Sequence, residues 1–218
     1  MSVFNRVDVK KEFLNFLRNS DVFNTTTRGV TTITDSGTTA NTGAETITLS
    51  ETDVRNIRSV TYDSSLLSYG SDYTIDIDNN QVTILVVVPT KPYAIQFDAG
   101  STDKIYPDYP RPNLKIGDYP RLGFDIYGQT SIKAGFGNVN KISFRFMINI
   151  YAATNKAGDD YLYTLRTKII DAQTSLYHIS YMYPLNVIQA QPIETNNKNN
   201  KIFMASMDVE IDNLYEIN

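Results

Sequence analysis

The chain has 218 residues, of which 41% are hydrophobic and 20% charged, so it can bury a core as one large domain or two small ones. Its formal net charge of −4 argues against a protein that grips nucleic acid over its whole surface. It has no cysteine and one histidine, which excludes disulfide scaffolds, thiolate catalysis, cysteine-bound metals and most multi-histidine metal sites.

Signals for secretion or membrane insertion are missing from the sequence. The first eleven residues carry charges where a signal peptide needs an apolar run. The longest apolar stretch, residues 82–89, is far shorter than the roughly 20 residues of a membrane-spanning helix, and its β-branched centre is typical of a buried strand. We therefore expect a soluble protein made in a cytoplasm, with no membrane partner.

The first elements in chain order are a helix and an all-β module. Apolar residues at helical spacing, Val9, Phe13, Phe16 and Leu17, predict a helix over residues 8–20 with Asp8 as its N-cap. Residues 24–103 are rich in Thr, Ser, Asn and Gly and predict a small sandwich or barrel. Its predicted strands are 46–49, 57–62, 73–77, 81–88 and 93–97, with a hairpin turn at 78–81 and a flexible loop or long hairpin at 25–43.

A proline-rich crossing at residues 105–112 leads into a third zone, which predicts a sheet with one packed helix. Apolar residues alternate with polar ones through residues 141–151 and again through 203–212, the period of half-buried antiparallel strands. Between them, Asp159 and Asp160 are predicted to open a helix with Leu162, Leu165, Ile169, Ala172 and Leu176 on its apolar face, followed by a strand from Val187 and a polar turn at 196–200. The predicted fold class is α+β: an antiparallel sheet with a packed helix, and an all-β module inserted after the N-terminal helix. The predicted domains are 1–23, 24–103 and 104–218.

Each motif with possible chemistry has a structural explanation. His178 has neither a second histidine nor a cysteine to act with, so we interpret it as a surface or core histidine. Residues 76–80 resemble the start of a calcium loop, but Gln81 and Val87 stand where that loop needs Gly and Glu. Gly135-Phe136-Gly137 precedes a strand, whereas a phosphate loop precedes a helix. We therefore expect no catalytic residue, no metal and no cofactor, and interpret the chain as a protein that is not an enzyme.

Charge patterning predicts a candidate contact surface between subunits. Residues 111–145 form a basic stretch, and the last strand carries acids at alternate positions. Acids side by side on a strand are mildly unfavourable unless cations face them, which either a solvated strand face or an adjacent subunit can explain. The candidate interface residues are Arg121, Lys141, Arg145, Asp208, Glu210 and Asp212.

The third zone, together with the opening helix, resembles the tail terminator (tail completion) proteins of long-tailed, siphovirus-like phages and archaeal viruses. The resemblance is carried by Asp118-Tyr119-Pro120-Arg121-Leu122, the alternating strand over residues 142–151, the helix over residues 159–176 and the closing strand through residues 208–216. The inserted all-β module departs from that pattern.

The resemblance implies a virion structural protein of the tail or neck, assembled in the host cytoplasm. Proteins of this family form hexameric rings that cap the tail tube and join it to the head-completion or connector protein. Genomic DNA passes through the lumen without specific binding, which suits a net-acidic chain because each phosphate contact would add salt-dependent affinity. The inserted module would decorate the outside of the ring or contact neck and tail neighbours.

Two other functions stay open from the sequence. A head–tail stopper or adaptor of the same neck region would also form a ring. A carbohydrate-binding β module is a function of another class, suggested by fifteen tyrosines and in particular by Tyr62, Tyr69 and Tyr73 as a sugar platform.

Overall fold

The computed structural model describes residues 6–107, 119–133, 139–174, 181–193 and 201–216. The chain divides into two compact units, one made of residues 1–22 and 104–218 and the other of residues 23–103. These limits fall within one residue of the predicted boundaries of the β module. The fold is α+β, as predicted.

The helix-and-sheet unit contains two helices and five strands within its described residues. In chain order they are α1 (Arg6–Asn19), β8 (Ile105–Tyr106), β9 (Arg121–Lys133), β10 (Val139–Ala152), α3 (Asn155–Asp171), β11 (Tyr181–Ile193) and β12 (Ile202–Glu216). The strands form one sheet in the order β11-β12-β10-β9-β8, in which every pair is antiparallel except β8 with β9. No helix among the described residues is long and apolar enough to cross a membrane.

The core of this unit is built from the apolar residues predicted to lie along one side of α1 and at alternate positions of the strands. On α1, Val9, Phe13, Phe16 and Leu17 are all buried, and the ring of Phe13 contacts those of Phe124 and Phe146 on the sheet. The alternating side chains of β10 and β12 are buried on the same face, because residues paired directly across two strands share a face. They are Ile142, Phe144, Phe146, Ile148 and Ile150 on β10, and Ala205, Met207, Val209 and Ile211 on β12.

The helix boundaries differ from the predictions. Helix α1 begins at Arg6, two residues before the cap predicted at Asp8. Helix α3 begins at Asn155, and its N-cap is Thr154, whose hydroxyl accepts a hydrogen bond from the amide of Ala157. Asp159 therefore lies inside the helix, where its carboxylate accepts a hydrogen bond from the Ala190 amide of β11 at 2.7 Å. The prediction that Asp159 and Asp160 open this helix was wrong, because Thr154 supplies the N-cap and the helix begins at Asn155.

The second unit is a β-sandwich with one short helix. In chain order its elements are α2 (Thr25–Arg28), β1 (Thr31–Thr38), β2 (Gly43–Thr48), β3 (Val54–Tyr62), β4 (Ser65–Leu66), β5 (Tyr73–Asp76), β6 (Gln81–Val87) and β7 (Pro92–Ala99). The four-stranded sheet β1-β7-β3-β4 and the three-stranded sheet β2-β6-β5 share one hydrophobic core. Both α2 and β1 lie where a flexible loop or hairpin was predicted, so that prediction was wrong.

A buried arginine joins the two ends of the sandwich. Arg28, at the end of α2, has no exposed side-chain surface and lies 2.8 Å from Asp98 and 3.2 Å from Asp103. It also donates to the Asn56 side-chain oxygen at 2.9 Å. The pKa of Asp98 lies below its usual value: burial raises it, but hydrogen bonds from Arg58 and Thr32 and the charge of Arg58 outweigh burial. A fully paired cluster of this kind holds α2, β7 and the exit of the unit in one arrangement.

Candidate subunit interface

The five-stranded sheet has one face covered by helices and one face that carries charges. Both helices lie on the apolar face: Phe13 of α1 contacts Phe124 and Phe146, while Gly158 of α3 lies against Ala190 and Ala205. The opposite face, which we call the ladder face, carries Lys141 and Arg145 on β10 and Asp208, Glu210 and Asp212 on β12. Five of the six predicted interface residues therefore lie on one surface.

Glu210 lies at the centre of the ladder face and accepts two hydrogen bonds. Arg145 Nε lies 2.9 Å from one carboxylate oxygen, and the Tyr183 hydroxyl of β11 lies 2.6 Å from the other. The Tyr183 hydrogen bond, followed by the Arg145 contact, lowers the pKa of Glu210 below its usual value against the opposing effect of burial. Burial and the bond to Glu210 in turn raise the pKa of Tyr183. At physiological pH, Tyr183 therefore stays protonated and neutral, and Glu210 stays ionised.

The two acids on either side of Glu210 are also paired within the chain. Asp212 is buried, with Lys141 Nζ and the Ser143 hydroxyl each 2.6 Å from its carboxylate. Asp208 accepts a hydrogen bond from the Asn186 side chain at 3.1 Å. The cations that face Glu210 and Asp212 thus come from the neighbouring strand of the same chain, while the partner of Asp208 is an uncharged amide. An adjacent subunit is not needed to supply a cation to Glu210 or Asp212, so the predicted interface has to rest on other features.

Arg121 was predicted to belong with these charges, but it lies apart from them. It is buried, and its guanidinium carbon lies 5.7 Å from the centre of the Tyr106 ring and 5.8 Å from that of Tyr119. A guanidinium against aromatic faces is a cation–π contact that fixes local structure. Arg121 therefore helps to hold β8 beside β9 and does not present a surface cation.

Two large side chains, those of Tyr127 and Arg145, are exposed on the ladder face. Tyr127 is 49% exposed and bulges out of register between Ile126 and Gly128, opposite Arg145. Burial, followed by the nearby Asp208, raises the pKa of Tyr127. The Arg145 side chain is 52% exposed even though it is paired with Glu210. Tyrosine and arginine are the residues most often enriched in protein–protein contacts, so the ladder face has the composition of a docking surface.

The tyrosines proposed as a sugar platform do not form one. Tyr73 is buried in the sandwich core, with its ring 5.6 Å from the Tyr69 ring and tilted by 52° to it. The Tyr62 hydroxyl accepts a hydrogen bond from the Val88 amide at 2.6 Å. A sugar platform needs an exposed aromatic face, and Tyr73 has none to offer.

One open groove of about 490 Å³ lies between α3 and β11. Asp159, Asp160 and Arg166 of α3 and Val187 of β11 line it. Asp159 is already bonded to the Ala190 amide, and Lys156 Nζ lies 2.6 Å from Asp160. Within the described ranges, no group of three or more His, Asp or Glu side chains is placed to hold a metal ion.

Several predicted features lie outside the described residues. They are His178, Gly135-Phe136-Gly137, the basic residues Arg111 and Lys115, Leu176 and the polar turn at 196–200. Sequence reasoning missed Tyr183, Ser143 and Asn186, which complete the hydrogen bonding of the ladder. The register between strands identifies two of them, because it places Tyr183 opposite Glu210 and Ser143 opposite Asp212.

Comparison of the sequence with protein-family models and with curated proteins gives no match.

Proposed function

We propose that this chain is a virion structural protein that acts as a tail terminator. Copies of it form a hexameric ring that caps the tail tube, stops its growth and joins it to the head-side connector. The observation that carries the proposal is the layout of the five-stranded sheet. Two helices cover one face, and the other face is a polar surface flanked by long strands. A sheet built in this way suits a scaffold that contacts copies of itself through its edges.

The charge pairing on the ladder face suits a channel through which DNA moves. Lys141 and Arg145 are both engaged by carboxylates of the same chain, so neither is a free cation for phosphate. Each lysine or arginine that neutralises a phosphate adds affinity and salt dependence. A wall whose cations are already paired binds the passing duplex weakly, as the proposed role requires.

The proposal gives the sandwich unit a separate task. Its Arg28 cluster and its own hydrophobic core make it a self-contained unit. A self-contained unit with its own surface suits contacts with neighbouring neck or tail proteins.

The oligomeric state in solution tests the proposal. A ring of six copies has a mass of about 148 kDa, six times the 24.6 kDa of one chain, and light scattering after size exclusion distinguishes it from a monomer. Negatively stained particles should show rings with a central opening. A strict monomer over the whole accessible range of protein concentration would argue against the proposal. A ring located next to the portal, away from the tail tube, in a virion map would instead identify the stopper or adaptor role.

A further inference from the structure

The two outer edges of the five-stranded sheet are open over parts of their length. Strand β8 pairs with β9 only at Leu122 and Gly123, so residues 127–133 of β9 have no partner strand on that side among the described residues. At the other edge, β11 pairs only with β12 among the described residues. Unpaired backbone groups on an edge are a template for another strand.

Apolar side chains are exposed mainly at these two edges. Of the seven large hydrophobic side chains exposed in the described part of this unit, five lie on β9 and β11, and two lie on α3. Those on the edges are Tyr127, Ile132, Tyr181, Val187 and Ile188. The register places Ile132 opposite Lys141 and Ile188 opposite Ser206, so both isoleucines lie on the ladder face at opposite edges. They are 58% and 51% exposed, respectively.

The directions of the strands allow one edge to pair with the other in a second copy. Strands β9, β10, β12 and β11 are antiparallel to their neighbours, so β9 and β11 run in opposite directions. A second copy placed in the same orientation beside the first therefore brings its β11 antiparallel to β9. The sheet then continues from copy to copy without a change of pattern.

The β11 edge restricts where a partner strand can pair. Pro184 has no amide hydrogen, and the Ala190 amide is already bonded to Asp159, so the accessible stretch is residues 185–189. Strand β11 contains no charged residue, and this stretch includes the exposed Val187 and Ile188. Edge strands that must stay unpaired usually carry a charge there.

We propose that copies of this chain join head to tail by pairing residues 127–133 of β9 in one copy with residues 185–189 of β11 in the next. Ile132 and Ile188 lie on the same side of the joined sheet and bury each other's exposed surface. The contact is heterologous, so it closes into a ring or continues as a filament. The inference deepens the proposed ring and rests on it only for closure.

Cysteine crosslinking tests the pairing directly, because the natural chain contains no cysteine. Thr130→Cys and Ile188→Cys place thiols on the ladder face of the two edges, as their partners Ser143 and Ser206 show. One variant carries a tag that changes its mass, and each is treated with a short bismaleimide alone and after mixing. Heterodimers that form in the mixture, with neither variant crosslinking to itself, are the expected result. Lys168→Cys, exposed on α3, is the control and should not crosslink with either edge variant.

The other outcomes separate this inference from the proposed function. Self-crosslinking of Thr130→Cys alone would show that like edges pair, which overturns the head-to-tail joint. Rings without any crosslink between the two edges would leave the proposed function standing and reject the edge pairing. A monomer in light scattering would reject both.

A charge at either edge gives an independent measurement. Ile132→Lys and Ile188→Lys should each lower the mass of the assembly, because a lysine on an edge opposes strand addition. Ile170→Lys, at a similarly exposed isoleucine on α3, is the matched control and should leave the mass unchanged. Equal masses for all three variants would contradict the inference.

Discussion

Gly158 of α3 lies so close to Ala190 of β11 that a Cβ built on the glycine would stand 2.9 Å from the Ala190 Cβ. Ala152 and Ala205, on two other strands, would be 3.7 Å and 3.9 Å from the same atom. Small residues on all sides bring the helix close to the sheet. Gly158 is thus required by packing, although a glycine inside a helix weakens it.

Gly158→Ala is therefore expected to destabilise the protein. The helix gains about 1 kcal/mol of intrinsic propensity, but the crowded methyl group costs about 1–3 kcal/mol. Adding Ala190→Gly removes the opposing methyl and should recover most of the loss. Urea unfolding followed by circular dichroism measures the four members of this double-mutant cycle. Purely additive effects would show that the two residues do not oppose each other.

The buried carboxyl group of Glu12 on α1 predicts a stability that falls as pH rises. Burial raises its pKa from 4.5 to about 7, so the folded chain holds this proton more tightly than the unfolded chain. The contribution of protonated Glu12 to the free energy of unfolding is complete below pH 4.5. It declines as the pH rises from 4.5 to about 7 and is lost above that value.

Glu12→Gln keeps the shape of the side chain and removes its charge. It should raise the free energy of unfolding by about 3 kcal/mol near pH 8, at 1.36 kcal/mol for each pKa unit, and change it little near pH 4. The matched control is Glu51→Gln, at an exposed position, for which we expect no difference at either pH. A variant that is equally stabilised at both pH values would refute the role of ionisation.

Tyr183→Phe tests the hydrogen bond that holds Glu210 on the ladder face. Loss of the 2.6 Å bond should raise the Glu210 pKa toward its ordinary value and reduce stability by about 1 kcal/mol at neutral pH. A lowered pKa stabilises the fold above the unfolded pKa, so the difference from the natural protein should vanish as the pH falls through the folded value. Titration of the Glu210 carboxyl carbon by NMR measures the shift.

Tyr181→Phe is the control for that measurement. The Tyr181 ring lies 5.4 Å from the Tyr183 ring, but its hydroxyl lies 3.2 Å from the Gln173 side-chain oxygen and is not bonded to Glu210. Removal of the Tyr181 hydroxyl should leave the pKa of Glu210 unchanged. An equal shift in both variants would mean that the hydrogen bond from the Tyr183 hydroxyl does not by itself set the pKa of Glu210.

Arg28→Met tests the cluster that joins the ends of the sandwich. It leaves Asp98 and Asp103 without their shared cation in a buried position, which should cost about 3–5 kcal/mol of unfolding free energy. The control is Lys91→Met, which removes an exposed ion pair with Asp63 and should have no measurable effect. Equal urea midpoints for the two variants would show that the buried cluster does not stabilise the unit.

The spacing of apolar residues in the sequence predicted the helix and strands that have one buried side and one exposed side. The apolar residues of β10 and β12 and the stripe of α1 were visible in the sequence because burial imposes a period on them. Strand β1 was missed because it is an edge strand rich in Thr, and its side chains are only half-buried or exposed. Strand β9 was not predicted because its outer half carries almost no apolar residues.

The pairing on the ladder face could not be read from the sequence. The acids of β12 and the cations of β10 were identified, but the sequence does not give the register that places Arg145 opposite Glu210. Without that register, the sequence left open whether a solvated strand face or an adjacent subunit accounts for these acids. Arg121 was misplaced for a similar reason, since its burial between Tyr106 and Tyr119 depends on where β8 lies. Side chains that act across strands become visible only once the strands are aligned.

The bond between Arg28 and Asp103 also bears on how the chain acquired its architecture. It joins residues 75 positions apart that stand near the two ends of the sandwich unit. Because its first and last residues lie close together, such a segment can be inserted between two neighbouring positions of a chain, as a short turn can. Gain or loss of such a segment would leave the preceding helix α1 and the following strand β8 intact. Related genes are therefore expected to differ most in length here, between the codons for Val22 and Lys104.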